Sequence, residues 1–132
     1  MQADIQVERQ LTELDFARLR KLDTSGAGAG FADVIAAAEV VPGTEIGPTV
    51  ITMYTQFELE DADTRERRTL AICYPEDAEP SSGFISVLSP LGSSLIGVRV
   101  GSEVRWQTPA GTRRATVAAV LFQPEATGDY VT

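Results

Sequence analysis

The sequence predicts an α+β fold: a short antiparallel helical hairpin over residues 1–44, then a small antiparallel sheet domain with one short helix over residues 49–132. Three observations carry that reading. Apolar residues recur at helical spacing before Pro42, the apolar period changes to two from Thr49, and turn-forming residues punctuate the rest of the chain.

The first helix is read over residues 10–23, where Leu11, Leu14, Leu19 and Leu22 fall near helical spacing, with Phe16 nearby. Arg18, Arg20 and Lys21 sit late, where cations suit the helix dipole. Thr12 followed by Asp15 is a weak cap signal, so the start could fall nearer Asp15. The run Thr24-Ser25-Gly26-Ala27-Gly28-Ala29-Gly30 breaks this helix. A phosphate-binding loop would need a following lysine and a preceding strand, and this run has neither, so it reads as a helix–helix turn. Phe31 to Val41 is the second helix, with Phe31, Val34, Ile35 and Ala38 on one side. Pro42-Gly43 stops it, and Glu45–Pro48 is the linker.

From Thr49, Ile51, Met53, Thr55, Phe57 and Leu59 alternate with Thr52, Tyr54, Gln56, Glu58 and Glu60, which reads as one strand turning at Asp61–Thr64. Arg68 to Tyr74 returns as a second strand, and Pro75 to Gly83 is a loop. Phe84 to Leu88 is a short strand. Ser89 then caps a helical turn with Pro90 at its first position, ending at Gly97. Glu103 to Thr108 and Arg113 to Phe122 are the last strands, turned at Pro109-Ala110-Gly111. The last is apolar on both faces and so is expected to be central.

Composition bounds the chemistry. The chain has 132 residues, 11 Lys plus Arg, 19 Asp plus Glu and no histidine, for a net charge of −8. The charge is even: residues 1–50 hold eight acids and four bases, and the remainder holds eleven and seven, so each part carries −4. A field of that sign opposes non-specific binding to DNA, RNA or anionic lipid. Without histidine there is no Ser-His-Asp triad, histidine base or His–Cys zinc site. One cysteine, Cys73, permits no internal disulfide and reads as a buried inert thiol in a strand. No apolar stretch is long enough to span a membrane, and Met1-Gln2-Ala3-Asp4 lacks a signal-peptide head, so a cytoplasmic protein is expected. The basic run Arg65, Arg67, Arg68, with Arg113 and Arg114, is expected to pair with Glu58 or Glu60 rather than with nucleic acid.

Several motifs are specific. Ile85-Ser86-Val87-Leu88-Ser89-Pro90-Leu91-Gly92-Ser93-Ser94-Leu95-Ile96-Gly97, together with Val100-Gly101-Ser102-Glu103-Val104 and Pro109-Ala110-Gly111, resembles the C-terminal domain of the bacterial Gre-type transcript-cleavage factors. The wider pattern is similar to a small branch of that family, the regulators of nucleoside diphosphate kinase. It includes Val50-Ile51-Thr52-Met53, Tyr74-Pro75 and the ending Phe122-Gln123-Pro124-Glu125-Ala126-Thr127-Gly128-Asp129-Tyr130. The resemblance covers residues 49–130 well and residues 10–41 loosely, through Leu14-Asp15-Phe16-Ala17-Arg18-Leu19.

The resemblance implies an FKBP-like sheet domain, no enzymatic activity and no cofactor. It implies bacterial RNA polymerase as partner, docking near the secondary channel through Ser89, Pro90 and Leu91. Sequence-specific nucleic-acid binding and membrane binding are not implied. In Gre-type factors a long coiled coil carries acidic residues to the catalytic magnesium. Here Asp23 and Asp33 bracket the hairpin tip, but the acidic tip motif of the cleavage factors is absent. A helical arm of about 10–12 residues spans only about 15–18 Å. The resemblance therefore implies a regulator that does not stimulate RNA cleavage. Its alternative is a module that regulates nucleoside diphosphate kinase or another metabolic protein. An FKBP-like fold also suggests prolyl isomerisation, but fold does not fix function. Trp106, Tyr54, Tyr74, Phe57, Phe84 and Phe122 are expected to be absorbed by a small core.

Overall fold

The computed structural model describes residues 8–24 and 31–128. The Gly-Ala turn from 25 to 30, and the Asp129-Tyr130 that closes the terminal motif, lie outside the described residues.

The N-terminal part runs β1 (Gln10–Thr12), α1 (Glu13–Arg20), α2 (Phe31–Ala37) and β2 (Glu39–Val41). Both helices are shorter than the sequence suggests, because a strand takes one end of each expected helix. β1 pairs parallel to β2, with Leu11 opposite Val40. The β-branched Val40 and Val41 favour that pairing over a last helical turn. Thr12 is the N-cap of α1, its Oγ1 accepting from the Asp15 N–H at 3.0 Å.

The second part is a five-stranded sheet made of β3 (Gln56–Asp61), β4 (Arg67–Cys73), β5 (Phe84–Ser86), β6 (Glu103–Thr108) and β7 (Gly111–Phe122) in the order β5-β4-β3-β7-β6. The pairings are antiparallel except for β4 with β5, which run parallel; residues 74–83 cross over between them, and α3 (Pro90–Leu95) follows β5. β7 lies inside the sheet, as its apolar faces indicate. Two register shifts between β3 and β7 bend the pair and curl the sheet.

The expected strand over residues 49–60 begins only at Gln56. The Thr52 N–H donates to Thr55 Oγ1 at 3.0 Å and the Thr55 N–H to the Thr52 carbonyl at 3.1 Å. These bonds fold the segment into a turn, with Tyr54 at φ 65°. Local hydroxyl bonding competes with the sheet ladder, and alternation of residue types does not reveal it. Likewise Phe84 to Leu88 is a strand only to Ser86.

One apolar cluster joins both parts. Leu11, Leu19, Phe31 and Ile35 from the N-terminal part pack with Ile51, Phe57, Ile72, Leu95, Val98 and Val117. Of the aromatic residues expected in the core, Phe57 is buried, whereas Phe84 and Phe122 remain exposed. Cys73 is fully buried, its Sγ facing the Ile85 carbonyl at 3.6 Å, and burial pushes its thiol pKa up. On the outer sheet face Arg67 bridges Glu58 and Glu60 and Arg65 bridges Glu60, while at the end of the opposite face Arg113 pairs with Asp61. These arginines are thus engaged by acids, as their spacing indicates. No helix of the described residues is long and apolar enough to cross a membrane.

A candidate docking cleft beside the Ser89–Pro90 turn

The turn that opens α3 is built tightly. Ser89 Oγ accepts from the Gly92 N–H at 3.0 Å and donates to the Ser86 carbonyl at 2.7 Å. Pro90 fills the first helical position, where no N–H is needed. A Cβ on Gly92 would lie 2.0 Å from the Ser86 carbonyl oxygen, so only glycine lets α3 sit this close to the end of β5. Ser86 Oγ also accepts from the Leu88 N–H at 3.1 Å. Pro90 is exposed, while Ser89 and Leu91 are half-buried, and Leu91 packs against the core. Among Ser89, Pro90 and Leu91, then, Pro90 is the outermost surface.

The other end of α3 is held from the N-terminal part. The Arg9 guanidinium donates through Nη1 to the carbonyls of Ser93, Ser94 and Ile96 at 3.0–3.2 Å. This satisfies acceptors that a helix C-terminus leaves open. Burial lowers the pKa of Arg9. The Gln10 N–H donates to the Gly97 carbonyl at 2.9 Å, and Gly97, at φ 81°, leaves room for the backbone of Gln10. Nothing in the sequence marks Arg9 for this role. Its only signal there is one cation just before a strand.

A cleft of about 630 Å³ lies beside this turn, lined by Leu22, Asp23, Pro75, Glu76, Ser86, Leu88, Ser89 and Pro90. It brings together two sets of residues that the sequence treats separately: Asp23, from the end of the first helical segment, and Ser89 with Pro90. Asp33, on the first turn of α2, is exposed and does not line the cleft. Leu91 does not line it either. The Pro75–Glu76 wall is fixed by Tyr54, whose hydroxyl donates to Asp77 and whose ring meets that of Tyr74 at 5.8 Å between centroids. Burial, followed by the Asp77 bond, pushes the Tyr54 pKa up.

Beneath this region α1 is tied to the sheet part by a buried carboxylate. Asp15 is 2% exposed, and its Oδ2 accepts from the Met53 N–H at 3.2 Å. Loss of water is the main cause that pushes its pKa up to about 6. Glu125 raises it further, while the Met53 and Thr12 bonds and Arg18 oppose the rise. Glu125 itself accepts from Thr52 Oγ1 at 2.6 Å. Gln123 Nε2 donates to the carbonyls of Gly47 and Val50, both at 2.8 Å. The terminal Gln-Pro-Glu motif thus latches the linker to the sheet. No group of three or more metal-ligand side chains occurs among the described residues.

A short helical region joined to a curled sheet, with a capped surface turn beside a cleft, defines a small α+β protein. The description "Transcription elongation factor, GreA/GreB, C-term" matches residues 46–122. The regulator of nucleoside diphosphate kinase of Escherichia coli K12 is 33% identical over 130 residues, covering 92% of this chain and 94% of its own length. The transcription elongation factor GreA of Desulfotalea psychrophila is 36% identical over 98 residues, covering 74% of this chain and 58% of its own length. Among solved structures, a GreA/GreB transcription elongation factor from Nitrosomonas europaea aligns with TM-score 0.70 and 32% identity, covering 89% of this chain and all (100%) of the other. GreA factor homolog 1 of Thermus thermophilus aligns with TM-score 0.51 and 25% identity, over 87% and 99% of the two chains. The chain belongs to the GreA/GreB transcription elongation factor family.

Proposed function

We propose that this chain is a non-enzymatic, cytoplasmic regulator that binds bacterial RNA polymerase near the secondary channel without stimulating RNA cleavage. One observation carries the reading. The segment that matches the C-terminal domain of the elongation factors, residues 46–122, is attached to helices of only eight and seven residues. Such helices extend about 12 Å and 10 Å. In this reading residues 49–132 form an FKBP-like docking domain and residues 1–44 an antiparallel hairpin arm. Ser89, Pro90 and Leu91 contact the polymerase, and Asp23 and Asp33 mark a tip that occupies the channel mouth short of the catalytic magnesium. Longer factors that dock at the same rim would be excluded by occupancy.

The test is competition. Purified polymerase loaded with a full-length cleavage factor is titrated with this protein, and both displacement and transcript cleavage are measured. Displacement with loss of cleavage, weakened by Pro90→Ala combined with Leu91→Asp, is the expected result. No binding by the folded protein would sink the reading.

The similarity to the Escherichia coli regulator of nucleoside diphosphate kinase supports a second reading, a module acting on that kinase or another metabolic protein. Affinity capture with and without polymerase in the mixture separates the two, because only the second survives polymerase removal.

A further inference from the structure

The cleft beside the Ser89–Pro90 turn has a composition that selects its occupant. Leu22, Leu88, Pro75 and Pro90 give it apolar walls, Asp23 and Glu76 are its charged lining residues, and no cation lines it among the described residues. The chain as a whole carries −8, so the field around the cleft also favours a positive group. We infer that this cleft receives a lysine or arginine side chain from an apolar-flanked segment of an RNA polymerase subunit. The aliphatic stem lies on Leu88 and Pro90, and the charged head meets the Glu76 carboxylate.

A long cationic side chain suits such a site because its methylenes cover apolar surface while its head stays with charge or water. The walls are set before binding. Ser89 and Gly92 fix the Pro90 side, and the Tyr54–Asp77 bond fixes Pro75 and Glu76. A preformed wall avoids ordering costs on association. The cleft also takes lining from both the end of the first helical segment and the sheet part. A single inserted side chain would therefore be read by both, linking docking to the seating of the hairpin. This inference rests on the polymerase reading above and adds to it the chemistry of the contact.

The experiment measures the affinity of the full chain for purified bacterial RNA polymerase at 50 mM and 200 mM salt, settings on the order of those that expose charge-driven binding. The variants are Glu76→Lys, Leu88→Glu and the control Glu66→Lys. Glu66 lies at the other end of β4, roughly 20 Å away by strand rise, and the control makes the same charge change. Near-UV circular dichroism confirms that each variant is folded.

The expected result for Glu76→Lys is a loss of about tenfold or more at low salt together with a weaker salt dependence, the mark of a removed charge contact. Leu88→Glu is expected to lose affinity to a similar degree, and Glu66→Lys to stay within about twofold. A photo-crosslinking residue at position 88 should capture a polymerase peptide that contains lysine or arginine among apolar residues. Wild-type binding that Glu76→Lys and Leu88→Glu leave unchanged would overturn the cleft assignment and leave the polymerase reading standing. So would capture of a peptide with no cation. Absence of wild-type binding at both salts would overturn both.

Discussion

At Asp15 a carboxylate with one backbone donor is held almost out of water, and its pKa rises from 3.8 to about 6. The consequence for stability has a definite sign. Between about pH 4 and pH 6 the unfolded chain has released this proton while the native chain keeps it. Stability from this group is therefore fully present below about pH 4 and is lost as pH rises through about 6. The shift corresponds to roughly 3 kcal/mol at neutral pH. Asp15→Asn keeps an acceptor for Met53 and removes the buried charge, so it should stabilise the protein by about 1–2 kcal/mol at pH 7.5 and by little at pH 4. Urea unfolding at the two pH values checks this, and an unchanged pH slope would refute it. Asp61 acts in the opposite direction. The Thr64 N–H and Arg113, then the Asp63 N–H, hold its pKa down to about 2, so its contribution is present above about pH 4 and is lost as pH falls towards 2.

The element scale is dominated by α3, whose six residues are far too few to be helical alone. Its cap, its proline, its one obligatory glycine and the Arg9 clamp supply what length does not. Ser89→Ala should cost about 1 kcal/mol through the lost cap. Gly92→Ala should cost more, about 2 kcal/mol or above, because the Ser86 carbonyl must move. Thermal melts should rank the two in that order. Much of this element was readable from residue types alone, since Ser-Pro and a terminal glycine encode a start and a stop locally. β6 was legible for a similar reason, having alternation between clear turns. The ends of the two N-terminal helices were not legible, because β1 and β2 pair across 29 positions and neither strand declares itself without the other. The turn at Thr52–Thr55 was hidden because threonine and tyrosine suit a strand equally well. For the site, Ser89 and Pro90 were visible as a capped turn. The cleft itself was not, because Leu22, Glu76 and Leu88 meet only through the fold, and Glu76 carries no local signature at all.

At the scale of the whole molecule, an acidic chain that docks by a localised cleft should bind its partner with salt sensitivity but without affinity for nucleic acid. Gel-shift titration with duplex DNA and with RNA at 50 mM salt, on the order of conditions that reveal phosphate contacts, is expected to show no complex. A clear shift would mean that the arginines on the outer sheet face leave their acid partners. The short helical region makes a second expectation. Adding the protein to a stalled elongation complex should leave the transcript uncut, while a cleavage factor added afterwards should act more slowly than it does alone. Cleavage by the protein itself would contradict the proposed role.

The guanidinium of Arg9 bears on how pieces of this chain would behave. The match to the C-terminal domain of the elongation factors starts at residue 46, yet the last turn of α3 takes hydrogen bonds from residue 9. The region of that domain match is therefore smaller than the region that holds itself together. A fragment starting at residue 46 would keep the cap at Ser89 and lose the clamp at Ser93–Ile96, leaving α3 secured at one end only. Amide exchange in such a fragment should accelerate first at Ile96 and Gly97, and shortening the chain from its front would loosen a surface turn more than 80 residues away.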